Sequence, residues 1–243
     1  MDATRPARRP AAVIFDMDGL MLDTEPLAAR AWTLAAAEVG VAFHAAVTSR
    51  LVGRNFADCR ALLLAHHGDG YPVDQLMRTW HVAYDAIVED EGIALKPGLI
   101  ELLAWLEAER IDKAVATSTR RSRAQAKLTQ TALADHFAVL VGGDEIAHGK
   151  PAPDTFALAA ERLAVEASAC IVLEDSEPGV LGALAAGMTP IVVPDRTAPS
   201  IANDGDRLLL LPTLHDVRLH LAALPPRDGT ASCHNPPQSP IRP

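Results

Sequence analysis

Apolar residues recur along this chain in two rhythms, and the change between them divides it. Val13, Ile14 and Phe15 form a short unbroken apolar run with Ala12, followed at once by polar residues; this predicts a strand buried on both faces. From about Leu27 to Glu91 the spacing becomes three and four. Val73, Leu76, Met77, Trp80, Tyr84, Ile87 and Val88 mark one face of a helix, and Phe56–Leu64 reads as another. Lys96-Pro97-Gly98 ends that helical block. Short apolar runs then alternate with helical stretches. Strands are expected at Lys113–Ala116, Ala138–Val141, Cys170–Leu173, Pro190–Val193 and Leu208–Leu211. Helices are expected at Leu99–Glu109, Ser122–Leu133, Asp154–Leu163 and Gly179–Ala186. Alternation at this spacing implies βαβ units and a parallel sheet.

The pattern gives an α/β chain, a doubly wound parallel-sheet core with a helical segment inserted after the first strand. The expected divisions are an N-terminal tail at 1–10, the core at 11–23 and 96–222, a helical cap at 24–95 and a C-terminal tail at 223–243. Pro225, Pro226, Pro236, Pro237, Pro240 and Pro243 sit among Ser, Asn, Gly and Arg, a composition that buries too little apolar surface to order itself. The insert is expected to hinge near Met21–Leu22 and Lys96–Gly98.

Composition narrows the function. The 31 acidic residues against 22 Lys and Arg give a formal charge of −9, which argues against a nucleic-acid binder. No apolar run reaches the roughly 18–20 residues of a membrane span, and Arg5, Arg8 and Arg9 are not followed by the apolar stretch of a secretory signal. Cys59, Cys170 and Cys233 are widely spaced without a metal-ligand pattern and point to a reducing, cytoplasmic setting. The chain is read as a monomer without membrane or nucleic-acid partners.

The chemistry lies at the strand ends. Asp16 and Asp18 leave the first strand one residue apart, and Gly19 breaks it. Thr117, Ser118 and Thr119 follow Lys113–Ala116; Gly149-Lys150-Pro151 precedes the helix at Asp154; Glu174 and Asp175 follow Cys170–Leu173. A parallel sheet gathers these ends on one rim. Clustered carboxylates need a cation or a shared proton. Hard oxygen donors suit Mg²⁺, and a lysine with hydroxyls and amides suits phosphate oxygens.

With Asp16-Met17-Asp18-Gly19, Thr117-Ser118, Gly149-Lys150-Pro151 and Glu174-Asp175 in this order, the chain resembles a haloacid dehalogenase superfamily phosphatase of the β-phosphoglucomutase-like subgroup over about residues 11–222. The resemblance implies a Rossmann-like core of that superfamily's type and a Mg²⁺-dependent hydrolase acting on a small phosphorylated metabolite. It makes Asp16 the nucleophile, which becomes an aspartyl-phosphate, and Asp18 the acid and then the base. Thr117 would bond the transferring group and Lys150 would neutralise its charge. Asp16, Asp175 and the carbonyl of Asp18 would hold the metal, with Glu174 supporting it. The acid role calls for a raised pKa at Asp18, expected from carboxylate crowding and water exclusion. Glu25, Arg54, Asn55 and Ser118 are the substrate-binding candidates.

Two rivals stand beside the phosphatase. β-Phosphoglucomutases carry a histidine where this chain has Ala28 and a cap-loop arginine where Phe56 aligns; both departures weaken a mutase reading. A non-catalytic phosphosugar binder would lack Asp16, Asp18, Lys150 or Asp175, and all four are present. The leading substrate class is a sugar phosphate. His66 and His67 read as surface residues, Arg120 and Arg121 as a solvated helix start, and Gly142–Glu145 as turn chemistry, with Asp144 a minor metal candidate.

Overall fold

A computed structural model describes residues 8–42, 47, 51, 56–195, 199–203 and 208–227. Among the described residues six strands form one sheet: β1 (Ala12–Phe15), β2 (Asp112–Ala116), β3 (Val139–Val141), β4 (Cys170–Glu174), β5 (Thr189–Val192) and β6 (Leu209–Leu210). Their order is β3-β2-β1-β4-β5-β6, and every pairing is parallel. The chain winds outward from β1 through β2 and β3. It then returns to the other side of β1 with β4. The carboxyl ends of β1 and β4 therefore flank the point where the winding reverses, where open α/β sheets place ligands.

Both faces of the sheet are covered, which explains the unbroken apolar run of β1. Val13 and Phe15 pack with helix α4 (Leu99–Ala108), Leu128 of α5 (Arg121–Gln130) and Leu214, Val217 and Leu221 of α8 (Leu214–Ala223). Ala12 and Ile14 face the other way, into Phe156 and Ala159 of α6 (Asp154–Leu163) and Ala183 of α7 (Glu177–Ala185).

Between β1 and α4 lie α1 (Glu25–Val39), α2 (Phe56–His67) and α3 (Val73–Glu91). They have an apolar cluster of their own: Trp32, Ala35 and Ala36 of α1, Leu63 of α2, and Leu76 and Met77 of α3 are buried together. The chain enters and leaves this insert as two paired strands of backbone. Leu22 bridges Leu95, Asp23 N–H donates to Ala94 O at 2.9 Å, and Lys96 N–H donates to Met21 O at 2.8 Å. Lys96 also forms an ion pair with Asp195 and lies 3.7 Å from Asp23.

Several boundaries differ from the sequence expectation, each for a local reason. The helix expected at Ser122–Leu133 ends at Gln130, because Ala132 turns left-handed (φ 58°) and Leu133 N–H returns to Leu128 O. The helix expected from Gly179 begins at Glu177, where the Ser176 hydroxyl accepts from Gly179 N–H at 3.2 Å. Arg9 and residues 224–225, placed in the expected tails, are bound to each other: Arg9 N–H donates to Pro225 O and its guanidinium to Leu224 O and Ala222 O. Residues 228–243, Arg54, Asn55 and the side chain of Phe56 lie outside the described residues. No described helix is long and apolar enough to cross a membrane.

Candidate active site

β1 is too short to carry Asp16 past the rim, so this residue emerges at the sheet edge with its N–H still donating to Leu173 O of β4 at 3.0 Å. Lys150, just ahead of α6, reaches back beneath the rim. Its Nζ lies 2.5 Å from Asp16 Oδ1, 2.6 Å from Glu174 Oε1 and 3.2 Å from Ala116 O. The lysine is 1% exposed and Glu174 is 0% exposed, so this is a buried ion network. Lys150 also sits over the Phe156 ring, 4.8 Å from its centroid.

Glu174 is fully engaged by protein. While Oε1 faces Lys150, Oε2 accepts from Asp175 N–H, Ser176 N–H and the Ser176 hydroxyl, each at 2.9 Å. The space it fills exists because residue 179 is glycine. A Cβ there would fall 1.7 Å from Glu174 Oε1. Replacing Gly179 by Ala should therefore dislodge a buried carboxylate from its four donors. Chemical denaturation should show a loss of about 1–3 kcal/mol or more, with reduced activity; an unchanged midpoint would contradict this packing.

Asp175 completes an acidic cluster. Oxygens of Asp16, Glu174 and Asp175 lie within 4.8 Å of one another, all on buried residues. Gly19 makes room for this cluster: its backbone is left-handed (φ 88°), and a Cβ would come 2.4 Å from Asp175 Oδ2. Burial pushes the Asp16 carboxyl up to about 7, helped by the Glu174 charge and opposed by Lys150. Burial, with Glu174 and Asp16, raises Asp175 well above the usual carboxylate range, and Glu25 adds to this. Burial lowers the affinity of Lys150 for its proton, but Asp16 and Glu174 outweigh that and raise it. Three carboxylates against one ammonium leave two negative charges uncompensated when all ionise. An octahedral Mg²⁺ spaces its ligand oxygens about 3–4 Å apart, so the donor type, charge and separation all fit such an ion.

Asp18 sits in a different setting. Oδ1 accepts from Lys127 Nζ at 2.5 Å and the Thr24 hydroxyl at 2.9 Å, and Oδ2 accepts from the Thr119 hydroxyl at 2.8 Å. Burial pushes its pKa upward, but the Lys127 charge and these hydrogen bonds more than offset it and hold the group below its ordinary value. The expected rise at Asp18 is thus corrected. Carboxylate crowding acts on Asp16 and Asp175, while Asp18 points to one cation, Lys127, and two hydroxyls. A phosphate dianion arriving beside Asp18 would push its pKa back up.

A cavity of about 650 Å³ opens over these groups. Asp16, Asp18, Thr117 and Ser118 line it from the rim, and Glu25, Trp80, Met77 and Tyr84 from the insert. The structure therefore brings together Asp16, Asp18, Thr117, Ser118, Lys150, Glu174, Asp175 and Glu25. Thr117 is 1% exposed, and its hydroxyl accepts from Thr119 N–H at 3.1 Å. Asp144 lines the cavity too, but its carboxylate caps Arg121 N–H at 2.7 Å. Arg121 lies exposed at the start of α5, where its guanidinium bonds Leu140 O and pairs with Glu145. Sequence reasoning gave no role to Thr24, Thr119 and Lys127, the donors to Asp18. Thr119 adjoins a quoted motif, whereas Lys127 lies mid-helix without a motif to mark it.

A family model described as haloacid dehalogenase-like hydrolase matches residues 10–187. The chain belongs to this family. The haloacid dehalogenase-like assignment makes it a hydrolase and agrees with the sheet order. Among curated relatives, the "Phosphorylated carbohydrates phosphatase" of Thermotoga maritima is 33% identical over 180 residues, covering 74% of this chain and 83% of the relative. The "Fructose-1-phosphate phosphatase YqaB" of Escherichia coli is 33% identical over 186 residues, covering 76% and 97%. Among solved structures, CbbY from Rhodobacter sphaeroides in complex with phosphate has a TM-score of 0.73 at 27% identity, covering 86% of this chain and 96% of that one.

Proposed function

We propose that this hydrolase is a Mg²⁺-dependent phosphatase that cleaves a small phosphomonoester, a sugar phosphate, through an aspartyl-phosphate on Asp16. The observation that carries the reading is the buried contact of Lys150 with Asp16 and Glu174 beside the three-carboxylate cluster. The phosphatase and carbohydrate names of the relatives support the substrate class.

Asp16 is the nucleophile. It stands at the rim with one oxygen held by Lys150, leaving the other to attack phosphorus. Lys150 offsets charge on Asp16 and on the incoming group. Thr117, which lines the cavity, would bond a phosphoryl oxygen. Asp18 protonates the departing alkoxide and then takes a proton from water to release phosphate. Asp16 and Asp175 would hold Mg²⁺ together with the Asp18 carbonyl, and Glu174 would fix Lys150 and the start of α7 behind them. Bound there, the ion would supply charge neutralisation for the phosphate oxygens. Residues 24–95 form the cap, closing over the cavity on the paired backbone crossings at Leu22 and Leu95. Glu25, Arg54, Asn55 and Ser118 are assigned to the leaving group.

Phosphate release from a panel of sugar phosphates and nucleotides, with Mg²⁺ or with EDTA, tests this reading. Isomer formation from β-glucose 1-phosphate is followed alongside. Metal-dependent phosphate release is expected; isomer formation without release would instead establish a mutase.

The metal site also predicts a pH-dependent stability. In the metal-free fold Asp16 keeps its proton up to about pH 7, whereas the unfolded chain releases it near 3.8. Between those values the native state holds the extra proton. The contribution of Asp16 to stability is therefore full below 3.8 and declines as pH rises to about 7. Mg²⁺ competes with protons for the same oxygens. Added Mg²⁺ should raise the melting temperature clearly at about pH 8 and much less at about pH 5. Equal rises at both would take Asp16 and Asp175 out of the metal site.

A further inference from the structure

Helix α5, on the sheet, faces helix α3, in the insert, along a polar seam. Arg123 pairs with Asp85, Lys127 Nζ lies 5.2 Å from the centroid of the Tyr84 ring, and Gln130 Nε2 donates to Val88 O at 3.2 Å. Residues 123, 127 and 130 share one face of α5, and 84, 85 and 88 share one face of α3. These contacts join the two parts of the molecule by charge and hydrogen bonding, which break at little cost in water.

The middle contact continues into the active site. Lys127, with a side chain only 13% exposed, sets its ammonium 2.5 Å from Asp18 Oδ1. On its other side Tyr84 offers a rigid platform. That ring is 3% exposed, stacks on Trp80 at 5.1 Å, and Trp80 stacks on Trp32 at 5.1 Å, so the apolar cluster of the insert fixes its plane. The Lys127 ammonium lies over this ring face, and the Tyr84 hydroxyl also interacts with it, favouring its charged form. A column thus runs Trp32, Trp80, Tyr84, Lys127, Asp18.

We propose that Lys127 is a positioning residue for Asp18, and that Tyr84 sets Lys127, so that seating the insert on the sheet aligns the carboxyl that exchanges the proton. Resting on the acid role given to Asp18 above, it adds residues to which no role is yet assigned. A carboxyl on a short side chain rotates freely unless its oxygens are fixed. Thr24 and Thr119 supply one bond each, and Lys127 supplies the one charged donor that depends on the insert.

The test compares kcat/KM for an alkyl ester, fructose 1-phosphate, with that for p-nitrophenyl phosphate. The nitrophenolate leaves without a proton, so the transfer to Asp16 needs no acid there. Asp18→Asn should lose about 10²–10⁴-fold on the alkyl ester and far less on the aryl ester. Lys127→Met should show the same selectivity with a loss of about 10- to 100-fold, and Lys127→Arg should recover most of it. Tyr84→Leu should give a smaller selective loss, and adding it to Lys127→Met should cost nothing further. Equal losses on both esters for Lys127→Met, with Asp18→Asn selective, would overturn the role of Lys127 alone. An unselective Asp18→Asn would overturn the acid reading itself. Additive losses in the double variant would remove Tyr84 from the unit. Lys127→Arg and Tyr84→Leu keep the test open if Lys127→Met does not fold.

Discussion

Replacing Asp16 by Asn is expected to abolish turnover while making the metal-free protein more stable. Loss of a covalent nucleophile costs about 10⁴-fold or more, since the amide cannot form the acyl phosphate. Stability moves the other way because Asp16 shares its burial with Glu174 and Asp175, opposed by Lys150. Asn keeps the shape and a carbonyl oxygen for Lys150 while removing one of three like charges. A rise in melting temperature at about pH 8, with no detectable phosphate release, is the expected pair of results. Ready turnover by the variant would contradict the nucleophile. A large loss of stability would contradict the electrostatic strain attributed to this cluster.

Replacing Lys150 by Met should have the largest effect on folding. The methionine matches the stem that packs on Phe156 but removes the ammonium from Asp16, Glu174 and Ala116 O. Removing one partner from a buried ion network costs about 3–5 kcal/mol, and activity should fall with it. The carboxylates left behind can relieve their repulsion by taking up protons. The deficit should therefore shrink as pH falls from about 8 to about 5. Denaturation at the two values measures this. A deficit that is small, or that does not shrink with falling pH, would mean that Lys150 is not the charge holding the cluster together.

The parts of the site legible in the sequence were those tied to strand ends. Asp16 follows an apolar run, Glu174 and Asp175 follow another, and Lys150 precedes a helix. A parallel sheet leaves such residues little choice of place. The sheet itself was legible for the same reason: alternation of strand and helix fixes the layers, and burial on both faces fixes the composition of β1. Helix ends were not, because they turn on single residues such as the left-handed Ala132. The charge state of Asp18 was also hidden. Counting carboxylates near a rim predicts crowding, but the side chain turns to Lys127, Thr24 and Thr119, which come from three separate stretches of chain. Glu174 shows the converse. Its position in the motif reads as a metal support, yet both oxygens are bound by protein donors. Contacts made across the insert, such as Tyr84 on Lys127, depend on how two helices meet, and periodicity gave each helix without that meeting.

The most direct measurement is a chemical trap for the phosphoryl group on Asp16. Asp18→Asn lacks the base that activates water, so with p-nitrophenyl phosphate and Mg²⁺ it should transfer the phosphoryl group and then stall. Mass spectrometry of acid-quenched, digested protein should find that group on the peptide containing Asp16. It should be absent with EDTA and absent when Asp16→Asn is added. Nitrophenol release with no modified peptide, or a phosphoryl group on another residue, would contradict covalent catalysis by Asp16.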